Sequence, residues 1–334
     1  MKKRTKLLTL ALAVCMPLAM AGCGGGDAGS QNGQLQIGIV QYQNHVALDS
    51  AREGFIKALA DNGYEDGNNI VITYQNAQGD QSNLGTICDQ LVSNQSDLIL
   101  GIATPAVQTL AQKTTEIPVL GTAVTDYVEA KVVNSNEAPG GNVTGTSDMN
   151  PIEEQIDLLL QLVPDAKTVG VLYTSSEDNS VIQARLAKEA IEAKGLQYVE
   201  ATVTNVNDIQ QVTQSIVDRC DAIYIPTDNT FASAMPIVHG VTQQSKTPVI
   251  CGESGMVETG GLATLGINYY DLGYQTGLMA VKILKGEATP DSLPVERPSQ
   301  YDYAINGEVA AELGLEIPAD LQDAVFQPEA SPAQ

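Results

Sequence analysis

The chain has 334 residues, enough for two domains with separate cores, and its 43% apolar content is that of a globular protein. Seventeen basic residues face 40 acidic ones, a formal charge of −23, which opposes nucleic acid and anionic lipid head groups as partners. Two histidines and five cysteines, with no CxxC or clustered Cys/His pattern, leave no residue set for a zinc site.

The first segment reads as an export signal. Lys2, Lys3, Arg4 and Lys6 precede the apolar run Leu7 to Met20, 14 residues long and interrupted by Pro17. That is short for a bilayer span and suited to a signal peptide. The run ends in Met20-Ala-Gly-Cys23, a pattern similar to a bacterial lipobox with Cys23 as the lipidated residue. Residues 1–22 are therefore expected to be removed, and 23–34 to form a lipid-anchored, glycine-rich tether. Without residues 1–22 the charge becomes −27, from 13 basic and 40 acidic residues. An ordinary cleaved signal with a cysteine nearby is the competing reading. Cys88, Cys220 and Cys251 are expected as small buried side chains.

Beyond Leu35 the pattern alternates strand and helix. Gln34–Val40, Asn69–Gln75, Asp97–Ile102 and Ile117–Val124 read as parallel strands. The intervening helices cover Ala47–Asn62, the segment from the Gln78–Asn83 turn to about Asn94, and the segment opened by Thr104-Pro105. A β-α-β-α-β-α-β series implies a parallel sheet with right-handed crossovers. Pro139–Gly145, rich in turn formers, is the candidate crossover to a second lobe. A second series follows: helix Pro151–Val163, strand Thr168–Thr174, helix Ser180–Lys194, strand Tyr198–Val203, helix Val206–Asp218, strand Ala222–Pro226, helix Phe231–Ser245 and strand Thr247–Cys251. Leu262–Tyr269 reads as a strand returning to the first lobe, followed by helix Asp271–Lys285. Leu293–Leu321 holds a strand-like piece and a short helix.

The expected fold is α/β, with two Rossmann-like parallel-sheet lobes joined by a multi-crossing hinge. Lobe I spans 35–145, completed by about 268–290; lobe II spans 146–267, completed by about 291–325; 326–334 is a tail.

Several buried strands end abruptly in polar residues, where open α/β sheets bind ligands. Candidates at those edges are Tyr42 and His45 after the first strand, and Thr104, Thr125 and Asp126 after the third and fourth. From the second series come Asn179, Ser180, Asp228 and Asn229. Thr104 and Thr125, with nearby backbone N–H groups, suit a carboxylate; Asp126 and Asp228, from opposite lobes, suit an ammonium. Each Asp or Asn could equally cap the next helix. Tyr42, Tyr127 or Phe231 could line an apolar pocket, and Glu177/Asp178 reads as a helix N-cap region. No G-x-S-x-G elbow, P-loop or HExxH is present. A binding protein with no catalytic residues and no cofactor is the preferred reading, and an extracytoplasmic α/β enzyme using His45 the alternative.

The blocks His45-Val-Ala-Leu-Asp49, Gly79-Asp-Gln-Ser82, Ile102-Ala-Thr-Pro-Ala106, Ala123-Val-Thr-Asp126, Pro139-Gly-Gly-Asn-Val-Thr-Gly145, Ser176-Glu-Asp-Asn-Ser180 and Pro226-Thr-Asp-Asn-Thr230 run in order along residues 35–285. In these the chain resembles the TrpX-like substrate-binding lipoproteins of ABC transporters. The resemblance implies a type I periplasmic-binding-protein fold, permease and ATPase subunits as partners, and an aromatic amino acid (Trp, Tyr or Phe) as ligand. The lipidated Cys23 places the chain at the outer face of the cytoplasmic membrane, and a monomer is expected. A receptor or sensor for another small solute, such as a branched-chain amino acid or nucleoside, is the alternative within binding proteins.

Overall fold

A computed structural model describes residues 33–327; the signal, Cys23 and most of the tether and tail lie outside the described residues. The first lobe is built from β1 (Leu35–Gln41), α1 (Val46–Asp61), β2 (Ile70–Asn76), α2 (Gln81–Ser93), β3 (Leu98–Ile102), α3 (Thr104–Lys113), β4 (Val119–Val124) and β5 (Val143–Ser147). Its sheet is wholly parallel, in the order β2-β1-β3-β4-β5. β3 and β4 are buried along their whole length, as expected for strands covered by helices on both faces.

β5 overlaps the end of the segment Pro139–Gly145, read from sequence as a crossover. Its residues Val143-Thr-Gly-Thr-Ser pair with β4, so the chain leaves this sheet only after Ser147. Two threonines, a glycine and a serine lack the apolar signature of a buried strand. Tertiary pairing supplies what local composition does not.

The second lobe comprises α4 (Ile152–Leu162), β6 (Thr168–Thr174), α5 (Asp178–Ala193), β7 (Gln197–Val203), α6 (Ile209–Ile216), β8 (Ala222–Ile225), α7 (Asn229–Ala232), α8 (Met235–Ser245), β9 (Val249–Cys251), α9 (Ser254–Glu258) and β10 (Ala263–Gly266). The helix expected over Phe231–Ser245 is divided into α7 and α8. Pro236, lacking an N–H, sits in the first turn of α8, the one place in a helix that tolerates it. β10 pairs with β9 in the second sheet and is not a strand of the first lobe.

The chain returns immediately afterwards as α10 (Tyr269–Leu284), which packs along α1. Glycines permit the contact: a Cβ on Gly273 would sit 1.8 Å from the Ala51 carbonyl oxygen, and one on Gly54 2.0 Å from that of Tyr270. A last crossing runs past Glu296, whose carbonyl accepts the Ser147 N–H at 2.8 Å. It delivers β11 (Asp302–Asn306), α11 (Gly307–Leu313) and β12 (Val325–Phe326) to the second sheet, of order β12-β11-β10-β9-β8-β6-β7. β11 runs antiparallel to β10, and β12 runs parallel to β11. The strand expected in Leu293–Leu321 is β11, and Phe326, assigned from sequence to the tail, pairs with Asn306.

Each sheet has its own aliphatic core, one around Ile39, Leu100 and Leu120, the other around Val171, Tyr224 and Ile250. Cys88 and Cys251 are buried and Cys220 half-buried, all as free thiols; burial pushes the Cys88 thiol up to about 12.

Candidate functional site

The carboxyl ends of both sheets face one pocket. It is lined by His45, Leu48, Ala123, Thr125 and Asp148 on the first-lobe side and by Asn179, Thr227, Asp228, Asn229, Ala232 and Glu253 on the other, with Tyr269 from the crossing segment. The empty space is about 270 Å³, drawn into a crevice in which a water-sized sphere has about 10 Å³ to move. That is room for about one water, so a larger guest enters by separation of the lobes. His45 follows β1, and Asp228 and Glu177 follow β8 and β6. In both sheets these ends flank the point where strand order reverses, β2-β1-β3 and β8-β6-β7.

The second-lobe rim is built from carboxylates fixed by backbone donors. Asp228 caps α7, its Oδ1 accepting the Phe231 N–H at 2.9 Å and the Thr174 hydroxyl at 2.9 Å, while Oδ2 accepts the Thr174 N–H at 2.6 Å. The Ser180 hydroxyl adds a further bond to Asp228. Burial, then the Glu177 charge, raises the Asp228 carboxyl above its ordinary value. Glu253 caps α9 through the N–H groups of Gly255 and Met256, at 2.5 and 2.9 Å. Burial pushes its carboxyl up to about 7.

Glu177 precedes α5 without capping it. Its oxygens reach α7, accepting from Asn229 Nδ2 at 2.6 Å, the Asn229 N–H at 3.3 Å, and the Thr230 hydroxyl and N–H at 2.7 and 3.2 Å.

The first-lobe rim is differently made. Ala103 and Ala123 end β3 and β4 with φ of +83° and +56°. With ψ of 153°, Ala103 occupies a region adopted almost only by glycine, and such strain costs about 1–3 kcal/mol. Thr104 Oγ1 accepts the Thr125 N–H at 3.4 Å, and the Thr125 hydroxyl donates to Asp148 at 3.2 Å. The other Asp148 oxygen accepts the Tyr269 hydroxyl at 2.9 Å. Burial pushes the Asp148 carboxyl up to about 6.

Three side-chain atoms are buried without a partner here: His45 Nδ1 on the first lobe, Asn150 Oδ1 at the crossing after β5, and Asn179 Oδ1 on the second lobe. His45 is half-buried as a residue, with its Nδ1 atom enclosed; desolvation lowers its pKa to about 4 and keeps the ring neutral near neutrality.

Hydrogen bonds join the rims. His45 Nε2 lies 3.3 Å from Asn229 Oδ1, Gln43 Nε2 donates to the Ser233 hydroxyl at 2.6 Å, and Gln183 Nε2 donates to the Thr125 hydroxyl at 3.3 Å. Farther out, Gln108 meets Asp178 at 2.8 Å and Arg185 meets Glu129 at 3.1 Å. The lobes are closed on one another.

Of the residues singled out from sequence, His45, Thr125, Asn179, Asp228 and Asn229 line the pocket together. Thr104 and Ser180 stand directly behind Thr125 and Asp228. Tyr42 donates to the Gly79 carbonyl at 3.3 Å and does not line the pocket; burial, then the charges of Glu177 and Asp228, pushes its hydroxyl up to about 12. Asp126 also stands apart: its Oδ1 accepts the N–H groups of Val128 and Glu129, each at 2.9 Å, the capping role weighed against ligand contact. Tyr127 and Phe231 are core residues. The apolar wall of the pocket is instead Leu48, Ala123, Ala232 and the Tyr269 ring.

Asp148, Glu253 and Tyr269 escaped the sequence reading. Glu253 follows Val249-Ile-Cys251 in the same apolar-then-polar pattern that marked Asp228, a signal that was there to be used. Asp148 follows a strand whose composition hid it.

Two α/β lobes, linked by three crossings and closed over a polar pocket, make this a two-lobed ligand-binding protein of the type I periplasmic-binding-protein fold. Residues 36–327 match the family of ABC transporter substrate binding proteins, and the chain belongs to that family, in its TrpX-like branch. It is 40% identical to a tyrosine-binding protein of Clostridioides difficile (strain R20291), over 95% of this chain and 94% of that one. Among solved structures, an ABC domain from Streptococcus pneumonia in complex with L-Trp is 42% identical, with a TM-score of 0.85 over 88% of this chain and 100% of that one. A ligand-free, open substrate-binding protein from Clostridium difficile is 43% identical over the same shares, with a TM-score of 0.68. At similar identity, this chain superposes more closely on the L-Trp complex than on the ligand-free, open protein.

Proposed function

We propose that this protein is the extracytoplasmic receptor of an ABC importer for an aromatic amino acid, Trp, Tyr or Phe. It captures the free amino acid between its lobes and presents it to permease and ATPase subunits without turning it over. The carrying observation is a charge imbalance: Asp148, Asp228 and Glu253 line the pocket, Glu177 stands behind it, and no lysine or arginine is among the lining residues. Buried carboxylates gain most from a cation that arrives with its own hydrogen bonds, and an α-ammonium is one. Asp148, engaged by one hydroxyl on each oxygen, keeps acceptor capacity, as do Asn150 Oδ1 and Asn179 Oδ1. Leu48, Ala123, Ala232 and Tyr269 supply an apolar wall for a ring. The similarity to a tyrosine-binding protein and to a domain holding L-Trp supports the aromatic class.

Thr104 and Thr125 are proposed to help hold the ligand carboxylate, Asp148 and its neighbours the ammonium. Cys23 is proposed to carry the lipid that keeps a monomeric receptor at the outer face of the cytoplasmic membrane.

The test is a thermal-shift screen against the twenty amino acids, with calorimetry on those that respond. Ligand at a hundred times its dissociation constant stabilises by about 2.7 kcal/mol, a shift of a few degrees. A response confined to Trp, Tyr or Phe, lost for 3-phenylpropionate, which lacks the ammonium, is expected. Silence to all twenty, or equal binding of the des-amino analogue, would sink the proposal. Turnover of a bound amino acid would favour the enzyme alternative.

A further inference from the structure

The pocket contains a hydrogen-bond relay that crosses from one lobe to the other. On the second lobe, Asn229 Nδ2 lies 2.6 Å from Glu177 Oε2. A carboxylate oxygen in that contact calls for the N–H₂ side of the amide, so Asn229 turns its carbonyl oxygen the other way. That oxygen lies 3.3 Å from His45 Nε2 on the first lobe. An amide oxygen only accepts, so Nε2 carries the ring proton and Nδ1 of the neutral imidazole is left with a lone pair. Nδ1 is buried, and no protein group donates to it. His45 itself lines the pocket.

We infer that Glu177, acting through Asn229, sets the tautomer of His45 so that Nδ1 is an acceptor for a hydrogen-bond donor of the bound ligand. Glu177 and Asn229 are thus positioning residues on one lobe for a ligand-reading residue on the other, and the acceptor is assembled by closure. The inference rests on the amino-acid reading above and adds to it. The ligand must present an N–H or O–H toward β1, either its ammonium or a ring donor such as an indole N–H or phenol O–H. Burial, which keeps the ring neutral, maintains the lone pair. The remaining contacts of Glu177 agree: Thr230 donates to it twice, the Asn229 N–H once and Asn179 Nδ2 once, at 3.4 Å, so each of these neighbours of its oxygens is a donor.

The chain has two histidines, His45 and His239, so ring nitrogen resonances are directly assignable. The full-length protein, labelled at histidine with the heavy nitrogen isotope, is to be examined by long-range proton–nitrogen correlation at about pH 7, alone and with L-Trp, L-Tyr and L-Phe. The expected spectrum shows His45 protonated at Nε2 and bare at Nδ1, with Nδ1 shifted as a hydrogen-bond acceptor when an amino acid binds. A shift with all three assigns the donor to the ammonium; a shift with L-Trp and L-Tyr but not L-Phe assigns it to the ring. In Glu177→Gln, which can place an N–H₂ against Asn229 and reverse its amide, His45 should move its proton to Nδ1 and affinity should fall roughly tenfold. A His45 protonated at Nδ1 in the wild type, no tautomer change in a folded Glu177→Gln protein, or an Nδ1 indifferent to an amino acid that calorimetry shows to bind would each overturn the inference. The comparison of wild type with Glu177→Gln needs no ligand, so failure of the amino-acid reading is distinguishable from failure of the relay.

Discussion

The two rims of the pocket solve opposite problems. On the second lobe, Glu177, Asp228 and Glu253 are buried acids whose oxygens are held by backbone N–H groups, threonine hydroxyls and an asparagine. On the first lobe, two alanines hold positive φ and His45 Nδ1 has no partner. The acids of one rim are satisfied by their own fold, although Asn179 Oδ1 beside them has no partner; the other rim is left strained and short of donors. Stability and recognition are thereby separated, because substitutions in a satisfied rim expose orphaned donors, whereas substitutions in an unsatisfied one remove what only a ligand would complete.

The sharpest test of that division is Asp228→Ala. It leaves the N–H groups of Thr174 and Phe231 buried without an acceptor and removes the cap of α7. A loss of about 2–4 kcal/mol in chemical unfolding is expected, together with at least tenfold weaker binding. Wild-type stability with weakened binding would instead make Asp228 a plain ligand contact.

Next in size is a pH effect. The Asp148 and Glu253 carboxyls are raised from 3.8 to about 6 and from 4.5 to about 7, and Asp228 moves the same way. The folded chain therefore holds more protons than the unfolded chain between those values. The stability these groups contribute is present below the unfolded pKa and is lost as pH rises through about 6–7. His45, lowered from 6.5 to about 4, has the opposite sign: its contribution is present above 6.5 and is lost as pH falls through about 4. Above about pH 6.5 the carboxylates act alone, so unfolding free energy should fall from there to pH 8. An ammonium ligand should reverse part of that loss and release protons on binding, measured by calorimetry in buffers of different ionisation enthalpy. Stability that rises over this interval would contradict the burial argument.

On the other rim, Thr125→Val removes a hydroxyl that meets both Asp148 and Gln183. Binding should weaken about tenfold, with stability changed by about 1 kcal/mol. Ala103→Gly should stabilise by about 0.5–1 kcal/mol by relieving a backbone that only glycine adopts freely. Destabilisation there would show that the alanine side chain matters more than the strain. The smallest effect is expected for Arg185→Ala, which removes an exposed ion pair across the lobes: under about 1 kcal/mol, and less at high salt.

Much of this arrangement was legible in the chain. Buried parallel strands such as Leu98–Ile102 and Val119–Val124 announce themselves as continuous apolar runs, because both faces are covered. Their abrupt polar ends marked His45, Thr125, Asn179, Asp228 and Asn229, since ligand edges and helix caps draw on the same residue types. That shared chemistry is also why Asp126 looked equivalent to Asp228 from sequence, although it serves the local turn at Val128 and Glu129.

Only tertiary structure decided the rest. β5 is a strand because β4 pairs with it, not because its threonines and glycine demand it, and with β5 came Asp148. Glu177 reaches across to α7 rather than capping α5, a partnership 52 residues distant in sequence. The unpartnered Nδ1 of His45 exists because residues 184 apart, on different lobes, meet face to face. Local sequence determines elements and edges through periodicity, capping and burial. Which acceptor is satisfied, and which is left for a ligand, depends on closure of one lobe on the other.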